Sequence, residues 1–161
     1  MAATTDTRQA QMTVDLGGEQ VLLERARFRE SLGQPFELQI DIIAALGEID
    51  LLPHLGKPIA VALYEDEDLM RHFHGLISAG EFTHESQTGF HYRLIARPFT
   101  WWLAHNRDMA IFQDLSVPDI IEKVFGAADV SDYELKLTRS YQSRTYCVQY
   151  RESDFTFVTR G

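Results

Sequence analysis

The sequence predicts a mainly β chain with short helices: an antiparallel barrel-like domain followed by the start of a second β/α domain. Three observations predict it. Apolar Phe36, Leu38, Ile40 and Ile42 alternate with Glu37, Gln39 and Asp41, and Tyr92, Leu94 and Ala96 alternate with His91, Arg93 and Arg97, the period-two pattern of half-buried strands. Gly17-Gly18, Gly33-Gln34-Pro35 and Gly56-Lys57-Pro58 punctuate the first hundred residues with turn chemistry. After Pro98 the period changes, because Ser116-Val117-Pro118-Asp119 is a helix start and Ile120, Ile121, Val124 and Phe125 follow at helical spacing.

Taken in order, residues 1–11 are polar and unpatterned and read as a disordered leader. Residues 12–105 then read as the first domain. Its short connections imply antiparallel neighbours, and five or more strands with open edges would template aggregation, so a closed or covered sheet is predicted. Ile59 to Tyr64 is apolar on both faces and suits a strand covered on both sides. Residues 106–161 read as the second domain, with a helix over 116–126 that Gly126 can end. Leu135 and Leu137, then Tyr146, Val148 and Tyr150, read as further strands. Ser153 can cap a last helix carrying Phe155 and Val158, although Phe155 and Phe157 also fit a strand.

Composition excludes several functions. The 161 residues carry 24 acids against 15 Lys and Arg, a formal charge of -9, which argues against nucleic acid as a partner because phosphate neutralisation needs a clustered basic surface. No apolar run approaches the roughly 18 residues that span a bilayer, and the first residues lack the basic and apolar regions of an export signal, so neither a membrane nor that route is expected. The single Cys147 has no internal disulfide partner and fits a reducing compartment.

Candidate chemistry is sparse, and each candidate has a sufficient structural reading. His72 and His74 share one face of a strand, a spacing that can chelate zinc or iron, with His91 on a neighbouring strand as a third candidate. The next acid is Glu81, further along than such a site wants, so strand-surface or hydrogen-bonded histidines are expected instead. Glu65-Asp66-Glu67-Asp68 lacks the ligand and glycine pattern of a calcium loop and reads as a solvated hairpin tip. Cys147 reads as a small buried hydrophobe, and Trp101-Trp102 as packing or subunit contact rather than a sugar platform. Arg151, Glu152 and Asp154 are explained by ion pairing and capping at a helix start. No nucleophile elbow, phosphate loop or dinucleotide fingerprint occurs, and no catalytic, cofactor or metal residue is assigned.

Residues across most of the chain carry a resemblance. Leu22-Leu23-Glu24-Arg25, Leu55-Gly56-Lys57-Pro58, Phe73-His74-Gly75-Leu76-Ile77, Tyr92-Arg93-Leu94 with Arg97-Pro98 and Trp101, Ile111-Phe112-Gln113, Ser116-Val117-Pro118 and Tyr150-Arg151-Glu152-Ser153-Asp154-Phe155 follow one another in a family's order. The chain resembles the N-terminal region of the VgrG (valine-glycine repeat protein G) spike family of bacterial type VI secretion, itself similar to the hub of contractile phage tails. The resemblance implies a non-enzymatic hub segment of a homotrimer with two related barrels per subunit, stacked on the hexameric Hcp tube. Baseplate and effector proteins are its implied partners, and the implied location is the cytoplasm during assembly, followed by injection without a signal peptide. Where the family continues its helix, this chain has Gly161, so the resemblance implies an N-terminal fragment. A contractile phage tail hub is the related alternative. A small metal-dependent β-barrel enzyme using His72 and His74 is the alternative of another class.

Overall fold

The computed structural model describes residues 3–7, 10–65, 68–131 and 133–160. Two units divide the chain, Met1–Pro98 and Phe99–Gly161.

In the first unit, β1 (Ala3–Thr7), β2 (Ala10–Val14), β3 (Val21–Ser31), β4 (Gln34–Ala44), β5 (Pro58–Glu65), β6 (Asp68–Ser86) and β7 (Gly89–Arg97) form one antiparallel sheet. The strand order is β1-β2-β5-β6-β7-β4-β3. The sheet curls into a half-barrel: β1 and β3 approach each other without forming a ladder. The 19-residue β6 makes the curl possible. Its first half pairs with β5 and its second with β7, with bulges between Ile77 and Ala79 and between Phe82 and His84. Each bulge adds a residue to one strand and sharpens its bend. At Gly75, in the middle of β6, a Cβ would sit 3.0 Å from the Arg97 carbonyl oxygen, so the absence of a side chain lets β7 come close.

The predicted alternation is the observed core. Leu38, Ile40 and Ile42 are fully buried and lie opposite Ala96, Leu94 and Tyr92 of β7. Met12, Ile59, Val61, Phe73 and Ile77 complete the interior from the other strands. Each such aliphatic side chain contributes about 1.5–3 kcal/mol on burial. Phe36 is half-buried, and its ring meets Phe73 edge-on at 6.1 Å.

Two expectations for this unit change. Part of the stretch read as a disordered leader, residues 3–7 and 10–11, is strand. Ladder hydrogen bonds use backbone groups alone, so a segment without apolar alternation can still extend a sheet at its edge. The stretch from Ile59 to Tyr64 is not buried on both faces. Ile59 and Val61 are buried, while Ala60 and Ala62 on the outer face are partly exposed, because no second layer covers that side of the sheet within this unit.

The second unit starts at Phe99 rather than at residue 106. The reason is α1 (Phe99–Leu103), a single turn that packs on α3 (Asp154–Arg160) of the same unit. Between them lie β8 (Arg107–Phe112), α2 (Val117–Ala127) and β9 (Cys147–Ser153), with β8 and β9 forming a two-stranded antiparallel sheet. Ser116 caps α2 as predicted. Its hydroxyl accepts the Asp119 N–H, and the Asp119 carboxylate accepts the Ser116 N–H at 3.0 Å. Ile120, Val124 and Phe157 form the small core, with Phe112, Leu115, Cys147 and Val158 packed around them.

Gly126 does not end α2. The helix runs one residue further, and Asp129 takes the left-handed position with φ 56°, a conformation that a short polar side chain tolerates. The Val130 N–H then reaches the Phe125 carbonyl at 2.9 Å and the Asp129 N–H the Gly126 carbonyl at 3.2 Å, the Schellman arrangement. Leu135 and Leu137 are not in a strand. Leu137 is exposed, and the nearby chain makes only an isolated bridge from Leu115 to Arg144, because no described strand lies alongside to pair with it.

Candidate assembly surfaces

The motif at the end of the chain forms one hydrogen-bonded joint. Asp154 is buried and forms no ion pair among the described residues; its carboxylate accepts the Gln149 Nε2–H at 2.7 Å and the Asn106 Nδ2–H at 3.1 Å, and its N–H donates to the Asn106 carbonyl at 3.1 Å. The three residues tie β9, α3 and the approach to β8 together. Ser153 caps α3 by accepting the Thr156 N–H at 3.1 Å, which selects the helix over the strand reading of Phe155 and Phe157. Glu152 is clasped by Arg160, whose Nε and Nη2 donate to it at 2.6–3.1 Å. Arg160 also donates to the Val148 carbonyl at 3.0 Å.

Arg151 is the bulged residue of β9, placed between the Tyr150–Met109 and Glu152–Asp108 pairs with φ 52°. Its guanidinium lies 5.4 Å from the centre of the Tyr150 ring. This kink turns the motif's polar side chains to opposite sides. Gln149 points into the core, so Met109, Ile111 and Tyr150, each about 63–64% exposed, share the outer face with Val148. Val148 and Tyr150 lie in a strand as expected, and the buried amide of Gln149 takes the inner face because Asp154 and the Glu152 carbonyl give it partners there. β8 and β9 each have one ladder and one edge that no described strand occupies. An exposed face of Met, Ile, Tyr and Arg has the composition of a protein interface core.

Arg160 holds the Glu152 carboxyl below the usual carboxylate range, and the Ser116 hydroxyl does the same for Asp119. A carboxyl depressed in the folded state stabilises the fold above its unfolded pKa, and that contribution is lost as pH falls through the folded value. The urea midpoint of the second unit is therefore expected to decline below about pH 4. Glu152→Gln should flatten that decline. Tryptophan fluorescence reads it, because Trp101 and Trp102 are the only tryptophans and both lie in this unit.

The first unit carries a different surface. On the outer face of the half-barrel, Arg25, Arg27 and Arg29 of β3 lie opposite Asp41, Gln39 and Glu37 of β4. Arg93 of β7 bonds Asp41 at 2.8 Å and Glu81 at 3.4 Å, while Arg97 and Arg29 share Glu37. The side chains of Arg25 and Arg27 are exposed and have no hydrogen-bond or ion-pair partner among the described residues.

The histidine candidates are separated. His72 and His74 are exposed on β6 opposite Ala62 and Ala60. His91 is buried elsewhere, its Nδ1 3.4 Å from Glu24 and its Nε2 2.8 Å from the Ser86 hydroxyl. Among the described residues no group of three or more His, Cys, Asp or Glu is placed to hold a metal. Glu65 and Asp68 pair across the β5–β6 turn, whereas residues 66 and 67 of the acidic run lie outside the described residues. Cys147 is partly buried against the second core. Trp101 is half-buried and Trp102 more exposed, their rings edge-to-face at 5.0 Å. No described helix is long and apolar enough to cross a membrane.

The phage tail baseplate hub (GPD) family model matches residues 29–160. The type VI secretion system spike proteins VgrG1b and VgrG1c of Pseudomonas aeruginosa are 39% and 36% identical, each over 99% of this chain and 22% of the relative's length. The chain thus spans about a fifth of these relatives. A solved E. coli component of the type VI secretion system, described as similar to the T4 bacteriophage tail proteins gp27 and gp5, is 24% identical to it. The two share the fold at a TM-score of 0.62, over 88% of this chain and 42% of that one.

Proposed function

Since the chain belongs to the phage tail baseplate hub family, we propose that it is a structural hub segment of a trimeric type VI secretion spike, acting by assembly rather than by catalysis. The observation that carries this reading is the exposed Met109, Ile111 and Tyr150 face, backed by the buried Asp154 joint. A stiff support under an uncovered apolar sheet suits a part that is completed by neighbouring structure and then bears load. The implied neighbours are sibling subunits, the hexameric tube and the baseplate. Identity to two spike proteins over nearly the whole chain favours the secretion apparatus over a phage particle. Assembly in the cytoplasm and export by the apparatus itself follow from that role.

Deleting the gene in its host should stop release of the tube protein into the medium, and the native gene should restore it. Restoration is expected to fail with Met109→Glu/Tyr150→Glu and to succeed with His72→Ala/His74→Ala. Tube release that persists in the deletion strain, or that depends on the two histidines, would sink the structural reading.

A further inference from the structure

From the outer face of the half-barrel we infer a second interaction surface: the Arg25–Arg27 edge of β3 docks a carboxylate-bearing face of a partner protein. The inference goes beyond the hub reading and stands on the first unit alone.

The three cross-strand rows from β3 to β6 hold Arg25, Arg27, Arg29, Arg93 and Arg97 against Glu37, Asp41 and Glu81. Within these three rows five cations meet three anions, and in the adjoining row Glu24 is turned to His91 at 3.4 Å, in a chain whose total is -9. The excess is localised. Asp41 and Glu81 are engaged by Arg93 and Glu37 by Arg97 and Arg29, so the acids of these rows are already committed to their other arginines, while Glu24 beside them is directed to His91. In the middle row Arg27 faces Gln39, and beyond it come Ile95 and Ala79, with no carboxylate at all.

Geometry then narrows the partner. Residues two apart on a strand stand roughly 7 Å apart on the same side. Arg25 and Arg27 therefore present two guanidinium forks at the spacing of alternate side chains on another extended segment, and each fork can take a carboxylate bidentately. β3 is also the last strand of its sheet, so a partner meets these side chains at a rim. A protein carrying glutamates or aspartates at alternate positions fits this pattern. A nucleic-acid backbone fits less well, since it would meet the net negative charge of the rest of the chain.

The probe is a labelled ten-residue peptide alternating glutamate with threonine, titrated with the purified chain by fluorescence anisotropy at low salt. Arg25→Gln/Arg27→Gln should raise its Kd about fivefold, and raising salt to about 0.5 M should abolish the difference, as for exposed ion pairs. Arg25→Lys/Arg27→Lys should weaken it less, which guards against misfolding of the glutamine pair. Arg25→Glu/Arg27→Glu should reverse the preference toward a lysine–threonine peptide. No binding of the acidic peptide, or binding indifferent to these substitutions, overturns the proposal. So does a single-stranded oligonucleotide that binds more tightly than the peptide and loses affinity in the glutamine variant. The tube-release assay is independent of these outcomes, so failure here leaves the hub reading standing.

Discussion

Ile40→Ala is expected to destabilise the first unit by about 2–5 kcal/mol, whereas Gln39→Ala next to it stays within about 0.5 kcal/mol. Ile40 is fully buried between Ala26 of β3 and Leu94 of β7, so truncation leaves a cavity in the middle of the sheet. Gln39 sits on the outer face opposite Arg27 and loses only partial cover. Both tryptophans lie in the other unit, so the measurement is amide exchange along β4 and β7. Equal losses of protection in the two variants would show that the strand faces are not assigned correctly, since a one-residue slip exchanges every side chain between core and solvent.

Asp154→Ala should destabilise the second unit by about 1–3 kcal/mol, because truncation strips the buried Gln149 amide of its short acceptor, while the exposed Asn106 amide can turn to water. Gln149, 1% exposed, keeps only the longer contact with the Glu152 carbonyl at 3.3 Å. Asn106 loses its 3.1 Å acceptor. Asp154→Asn preserves shape but turns an amide NH2 toward one of the two donors, so its cost should fall between Asp154→Ala and the native chain. Urea unfolding followed by tryptophan fluorescence reads all three. A native midpoint in Asp154→Ala would mean that the joint does not hold β9 to α3. The same loss should appear in the tube-release assay, because the Met109–Tyr150 face rests on that joint.

Much of this was legible in the chain itself. Strand β4 follows from Phe36, Leu38, Ile40 and Ile42, because period two leaves only one face that can be buried. The start of α2 follows from Ser116, Pro118 and Asp119, because their side chains satisfy or spare the free N–H groups of its first turn. These are local constraints, decided within a few residues. The end of α2 was less legible, since any residue able to adopt positive φ can terminate a helix, and Asp129 did so in place of Gly126.

What the sequence determined by itself was the alternation, the capping signals, the acidic balance and the order of family-like segments. The tertiary structure alone decided which faces those segments present. Tyr150 is outward because Gln149 finds Asp154 and the Glu152 carbonyl inside, and the side chains of Arg25 and Arg27 have no ion-pair partner among the described residues because Arg93, Arg97 and Arg29 take the nearby carboxylates of Asp41, Glu81 and Glu37. His91 is remote from His72 and His74 because the ladders place it beside Glu24 and Ser86 instead. These outcomes depend on partners that only the folded chain supplies: Asp41 and Glu37 meet Arg93 and Arg97 across 52 and 60 residues and Glu24 meets His91 across 67, while Gln149 meets the nearby Asp154 only where β9 turns into α3.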